Sequence, residues 1–238
     1  MSFDSAVDAL FSSPLFNVTL TLLAFQVGLI CYEKVGRKAW MHPVVMGTVI
    51  IVGFILLTPH EYPTYFKNNE LLLFFLGPAT VALAVPLRNE LKTLRGIAVP
   101  ALVIIALGSV IAPLTALGAA WLFGADEQVL VSLLAKSVTS PIAIGVTENL
   151  GGLVSLITAV TLFTGIAGAL MGPTIFKIAG LTDDRLQGIL LGVLAHGVGT
   201  ARGFEISVRC GALAGLGMGL TGTFSAFMLP YLKIVLFG

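Results

Sequence analysis

Long apolar runs separated by short polar connections organise this chain. The apolar windows fall at 15–32, 43–58, 71–87, 96–123, 128–147, 149–176, 186–201 and 210–232. A run of about 20 apolar residues is what a helix needs to cross the hydrocarbon core. The pattern therefore predicts an all-α membrane bundle of about eight hydrophobic segments, some of them broken or re-entrant. Two windows, 96–123 and 149–176, exceed that length, whereas 43–58 and 186–201 fall short of it. Pro78 and Pro86 interrupt the third window, and Pro100 and Pro113 the fourth. No soluble domain breaks the pattern, so residues 1–238 read as a single transmembrane domain.

Composition agrees with that reading. The chain is 57% hydrophobic and 11% charged, against about 25% charged in soluble domains. A net charge of +1 and the lack of a basic run argue against a nucleic-acid partner. Cys31 and Cys210 have neither metal-ligand spacing nor a disulfide framework. Asp4 and Asp8 precede the first window and no base comes before Lys34, so that window is expected to be a retained span rather than a signal. If all eight segments span with the N-terminus outside, Lys34, Arg37, Lys38, Arg88, Lys92, Arg95, Arg202 and Arg209 lie in cytoplasmic loops. Lys67, Lys177, Arg185 and Lys233 then lie outside. The excess of inward bases favours both termini outside.

Two polar interruptions carry the candidate chemistry. The first is "KSVTSPIA", Lys136 to Ala143. Pro141 removes a backbone donor, and its ring clashes with the carbonyl of Ser137, four residues earlier. The helix is expected to break there, leaving backbone groups that Ser137, Thr139 and Ser140 can satisfy. Such a break is tolerated at membrane depth only inside protein or beside an aqueous cavity. The amide end of a half-helix and the Lys136 ammonium both attract an anion. The alternative is a kinked packing helix with Lys136 reaching to the interface.

The second interruption is "AHGVGTARGFE", Ala195 to Glu205. Gly197 and Gly199 permit a non-helical backbone, and they also suit a close helix–helix contact. His196 titrates near neutral pH and can carry a proton, as can Glu205. Thr200 offers a hydroxyl, and Arg202 can either grip a carboxylate with two parallel bonds or be neutralised by Glu205 at a cytoplasmic end. Aligning Ala135 with Ala195 superposes Lys136 on His196 and Ser140 on Thr200, a weak internal match at an offset of 60. Short interrupted segments at corresponding places mark a transporter binding site. Thr80, in "GPATVALAVPL", could face a cavity, and Glu148 with Asn149 forms either a turn or a pocket floor. No G-x-S-x-G, H-E-x-x-H or paired intramembrane aspartates are present, so neither an enzyme, nor a metal site, nor a cofactor is expected.

The two motifs together, with "GPATVALAVPL", resemble the LrgB (CidB/LrgB) family over nearly the whole chain. The resemblance implies a multi-pass protein of the bacterial inner (cytoplasmic) membrane. Bacterial members are described as antiholin-like or holin-like modulators of murein hydrolase activity and lysis. Plastid relatives are glycolate/glycerate transporters, and bacterial relatives are linked to pyruvate uptake. It also implies a small LrgA/CidA-like membrane protein as a partner. Between these functions, the buried Lys136, His196 and Arg202 favour a carrier for small monocarboxylates, proton-coupled through His196 or Glu205. Its glycine-rich helices suggest a homodimer.

Overall fold

The computed structural model describes residues 9–37, 41–82, 85, 88 and 95–238. Asp4, Asp8, Lys38, Pro86, Lys92 and the side chain of Thr80 lie outside the described residues. The fold is all-helical, with no strand among the described residues. Among the described residues, five helices are long and apolar enough to cross a membrane. The chain divides into two compact units, Met1–Ala82 and Leu83–Gly238.

In the first unit, α1 (Pro14–Lys34) and α2 (Pro43–Leu57) form an antiparallel pair. Each begins with proline at a position where the missing N–H costs nothing. Gly28 lies against the Pro43 carbonyl, and Gly47 against Phe25. The short α3 (Tyr62–Asn68) and α4 (Glu70–Ala82) follow. Asn17 donates to the Phe11 and Ser13 carbonyls at 2.8 and 2.9 Å, which leaves its Oδ1 to accept from His60 Nε2 at 2.7 Å. Burial in this network, outside the helices, lowers the His60 pKa.

The second unit contains α5 (Ala98–Leu122), α6 (Glu127–Leu133), α7 (Ser140–Leu150), α8 (Val154–Ile178), α9 (Asp184–Ile206) and α10 (Val208–Phe237). The window expected at 128–147 is two short helices rather than one long one. Asp126 starts α6 by accepting from the Val129 amide at 2.8 Å, as an N-cap should. Beyond Leu133 the chain winds through tight turns, with bonds from Lys136 N to Leu133 O and from Val138 N to Ala135 O. Pro141 then sits in the first turn of α7. Glu127 and Val131 share a cavity wall with Leu150 and Gly151, so α7 returns alongside α6. This pair is hairpin 1.

Helix α9 also doubles back, although its length alone would suggest a span. His196 has φ 49° and ψ −126° inside it. The Ser207 hydroxyl donates to Asp184 Oδ2 at 2.7 Å. Those residues would be about 35 Å apart on a straight helix at 1.5 Å per residue. Residues 184–195 run parallel to the start of α10: Gly188 faces the Cys210 carbonyl, and Gly192 faces that of Ala214. Residues 197–206 run back, bringing Gly203 against Gly211. This is hairpin 2.

Helix α8 separates the two hairpins, so hairpin 1 enters from its Val154 end and hairpin 2 from its Ile178 end. Ile157 packs with Leu134, Ala135 and Val138 of hairpin 1. Two turns on, Gly165 lies 3.3 Å from the Ala195 carbonyl of hairpin 2, measured from the position of a Cβ. The hairpin tips therefore meet beside the middle of α8. Outward faces carry apolar side chains such as Leu102, Phe163 and Phe227, as lipid requires.

The reversal at His196 is testable with cysteines placed by Asp184→Cys and Ser207→Cys in a background with Cys31→Ala and Cys210→Ala. A short bifunctional thiol reagent should join them within one chain, visible as a mobility shift. A continuous α9 would leave them unjoined.

Candidate functional site

Hairpin 1 brings Lys136, Ser137 and Thr139 to its tip because Pro141 forbids the helix from continuing back through them. The Ser137 carbonyl, which the proline ring would have struck, is free of a helical partner. The His196 imidazole is buried at the opposing tip, and its Nε2 has no hydrogen-bond partner. Lys136 donates from Nζ to Ser137 Oγ at 3.0 Å. Together Lys136 and Ser137 line a cavity of about 330 Å³ with Thr164, Gly168, Leu191 and Leu194. A lone ammonium beside largely apolar walls is arranged to receive an anion.

The other expected site residues divide by position. Thr139 caps α7 without a side-chain bond, and Ser140 and Pro141 form its first turn. Thr200 is buried one turn beyond the tip and donates to the His196 carbonyl at 2.9 Å. Arg202 pairs with Glu205 farther along the returning arm, toward the hairpin mouth. Glu148 and Asn149 are exposed in the last turn of α7, where Asn149 bonds back to the Gly145 carbonyl at 2.8 Å, and neither lines the Lys136 cavity. The non-helical residue of hairpin 2 is His196 rather than Gly197 or Gly199. Gly199 serves close approach instead, since a methyl there would fall on the Leu191 carbonyl.

The LrgB-like family model matches residues 21–234. The chain belongs to the LrgB-like family. Two proteins of Bacillus subtilis (strain 168), each described as uncharacterised, are similar over most of their length. YwbG is 32% identical over 217 residues, covering 91% of this chain and 96% of YwbG. YxaC is 29% identical over 213 residues, covering 90% and 92% respectively. No solved structure matches the chain.

This LrgB-like chain also holds buried polar groups that the sequence does not mark. Ser109, Thr161 and Thr221 are 1%, 3% and 1% exposed, and their hydroxyls have no hydrogen-bond partner. An orphaned buried hydroxyl costs about 1–3 kcal/mol. In sequence they look like Thr158 or Thr223, whose hydroxyls bond to the carbonyl one turn back. Only the packing separates the two kinds.

The seam between hairpin 2 and α10 yields a stability prediction. A methyl at Gly192 would land on the Ala214 carbonyl, whereas Gly197 has open space around it. Gly192→Ala should lower the detergent-solubilised melting temperature or abolish folding, since overpacking costs about 1–3 kcal/mol. Gly197→Ala should leave it unchanged or raised.

Proposed function

We propose that this LrgB-like protein is a secondary transporter for small monocarboxylates of the glycolate, glycerate, pyruvate or lactate class. The observation that carries the reading is the meeting of two hairpin tips beside the cavity holding the Lys136 ammonium. Transporters place substrate near the bilayer midplane, between interrupted helices related by an inverted repeat. The element boundaries support such a repeat. Ala98 recurs as Val154 and Leu122 as Ile178, 56 positions later, and the capping Asp126 recurs as Asp183, 57 later. That register stands beside the offset of 60 that separates Lys136 from His196 in the residue match.

In this reading six segments span and two hairpins re-enter. Arg95, Lys177, Arg185, Arg202 and Arg209 then gather toward the hairpin 2 end of the second unit, and Lys233 alone toward the other. With three spans ahead of α5, ten bases face the cytoplasm and two face out. This sharpens the inward bias and still leaves both termini outside, in the cytoplasmic membrane. The open glycine faces at Gly118 and Gly219 support a homodimer. A holin-like pore or an antiholin acting on murein hydrolases is the competing reading for the family. A hole that merely perforates the membrane needs no buried lysine where two hairpins meet, which favours the carrier.

Uptake of labelled glycolate, pyruvate and lactate into liposomes holding the purified protein tests this. A hydrogen bond to a charged group contributes about 1.5–3 kcal/mol, so Lys136→Ala should weaken carboxylate binding at least tenfold while the protein stays folded. His196→Gln should remove the dependence of uptake on a pH gradient; gradient-driven uptake retained in that variant would move the coupled proton to Glu205. A folded Lys136→Ala protein that transports every acid like wild type would refute the site.

A further inference from the structure

At about 330 Å³, the Lys136 cavity is in the range that holds drug-sized ligands, far more than a two-carbon acid fills. Its polar end is formed by Lys136 and Ser137 at the tip of hairpin 1 and by Thr164 on α8. From there it follows one stripe of α8, past Gly168 and Met171 to Ile175, against Leu191 and Leu194 of hairpin 2. Thr164 and Ile175 are about 17 Å apart at 1.5 Å per residue. Among the described residues, every side chain that lines the cavity beyond Thr164 is apolar.

The cavity also opens sideways. Its floor is where α8 touches hairpin 2: a Cβ at Gly168 would lie 2.8 Å from that of Ala195, and one at Gly172 2.9 Å from Leu191 Cδ2. Its rim carries side chains that face away from the protein, with Met171 59%, Ile175 50% and Leu194 43% exposed. On the outer surface of a membrane bundle such side chains meet lipid chains rather than water. A groove that faces lipid thus ends on a cation. That ammonium bonds to the Ser137 hydroxyl and has no acidic partner among the described residues.

Charge and shape together select the occupant. An ammonium inside the membrane calls for an anion, and the apolar length beyond it calls for a hydrocarbon chain. A phospholipid keeps its phosphate in the head-group region outside the hydrocarbon core, whereas the tip of hairpin 1 lies beside the middle of α8. A single-chain acid can carry its carboxyl group to that depth. We propose that the Lys136 cavity binds medium-chain alkanoates drawn from the bilayer, with the carboxylate on Lys136 and the chain along α8 toward Ile175. These ligands lie outside the small acids of the carrier reading. The proposal shares Lys136 with that reading but requires no transport.

The test is equilibrium binding of labelled octanoate to the purified protein in nanodiscs, corrected for empty nanodiscs. Binding should saturate. Unlabelled octanoate should displace the label at least tenfold better than butyrate, since each buried methylene contributes about fourfold. Octanol, which has the same chain without the charge, should not displace it. Lys136→Ala should weaken binding at least tenfold and Met171→Ala about threefold. Phe227→Ala, on an outward face away from the cavity, should leave it unchanged. Met171→Ala trims an exposed side chain, so it decides the matter even if Lys136→Ala does not fold. Octanoate binding no greater than in empty nanodiscs, displaced equally by octanol, or retained in the folded variants refutes the site. If it is refuted while labelled glycolate, pyruvate or lactate still enters liposomes, the carrier stands without it. If octanoate binds as expected and no small acid enters, the carrier reading fails and this site remains.

Discussion

The second unit depends on two broken helices meeting tip to tip beside α8, where Ile157 packs with Ala135 and Val138 of hairpin 1 and Gly165 lies against the Ala195 carbonyl of hairpin 2. Neither tip can satisfy itself. Hairpin 1 gives up its helical bonds because Pro141 cannot follow Ser137 in a helix, and hairpin 2 gives them up at the positive φ of His196. In hydrocarbon an unpaired backbone group has no water to turn to. Each break is tolerable because the other stands opposite it, and α8 sets the distance at which they meet.

The polarity of the molecule is inverted around that meeting point. Large apolar side chains such as Leu107, Phe163 and Phe227 face outward, while Ser109, Thr161 and Thr221 are sealed inside. Room for the doubled chain comes from omitting side chains. Gly188, Gly192 and Gly217 let backbone touch backbone between hairpin 2 and α10, and Gly165 and Gly168 do the same on α8. The glycines that look like flexible breaks in the sequence mostly serve this close packing.

Much of the fold was legible because lipid imposes a coarse code. The apolar windows locate the helices, Pro141 locates the first break, and a lysine in an apolar run marks Lys136. The reversal in α9 was not legible in the same way. It turns on the backbone of one residue, His196, without a proline, and 186–201 reads as a short span. For Arg202 the sequence left open a carboxylate clamp or a partner in Glu205, and the returning arm pairs it with Glu205 near the mouth. The orphaned hydroxyls of Ser109, Thr161 and Thr221 were invisible for a simpler reason, since a hydroxyl's choice between its own carbonyl and a neighbour is made by tertiary packing.

Ser207 spends its single proton on Asp184 and accepts from the Cys210 amide at 2.9 Å. One oxygen therefore closes the mouth of hairpin 2 and starts α10. This has a consequence in time as well as space. A chain made from its N-terminus cannot shut that mouth until the first turn of its last helix exists. Until then the polar arm from 196 to 206 has no wall to lie against. Hairpin 2 and α10 are thus one folding event, and a nascent chain halted before residue 210 holds an unfinished hairpin.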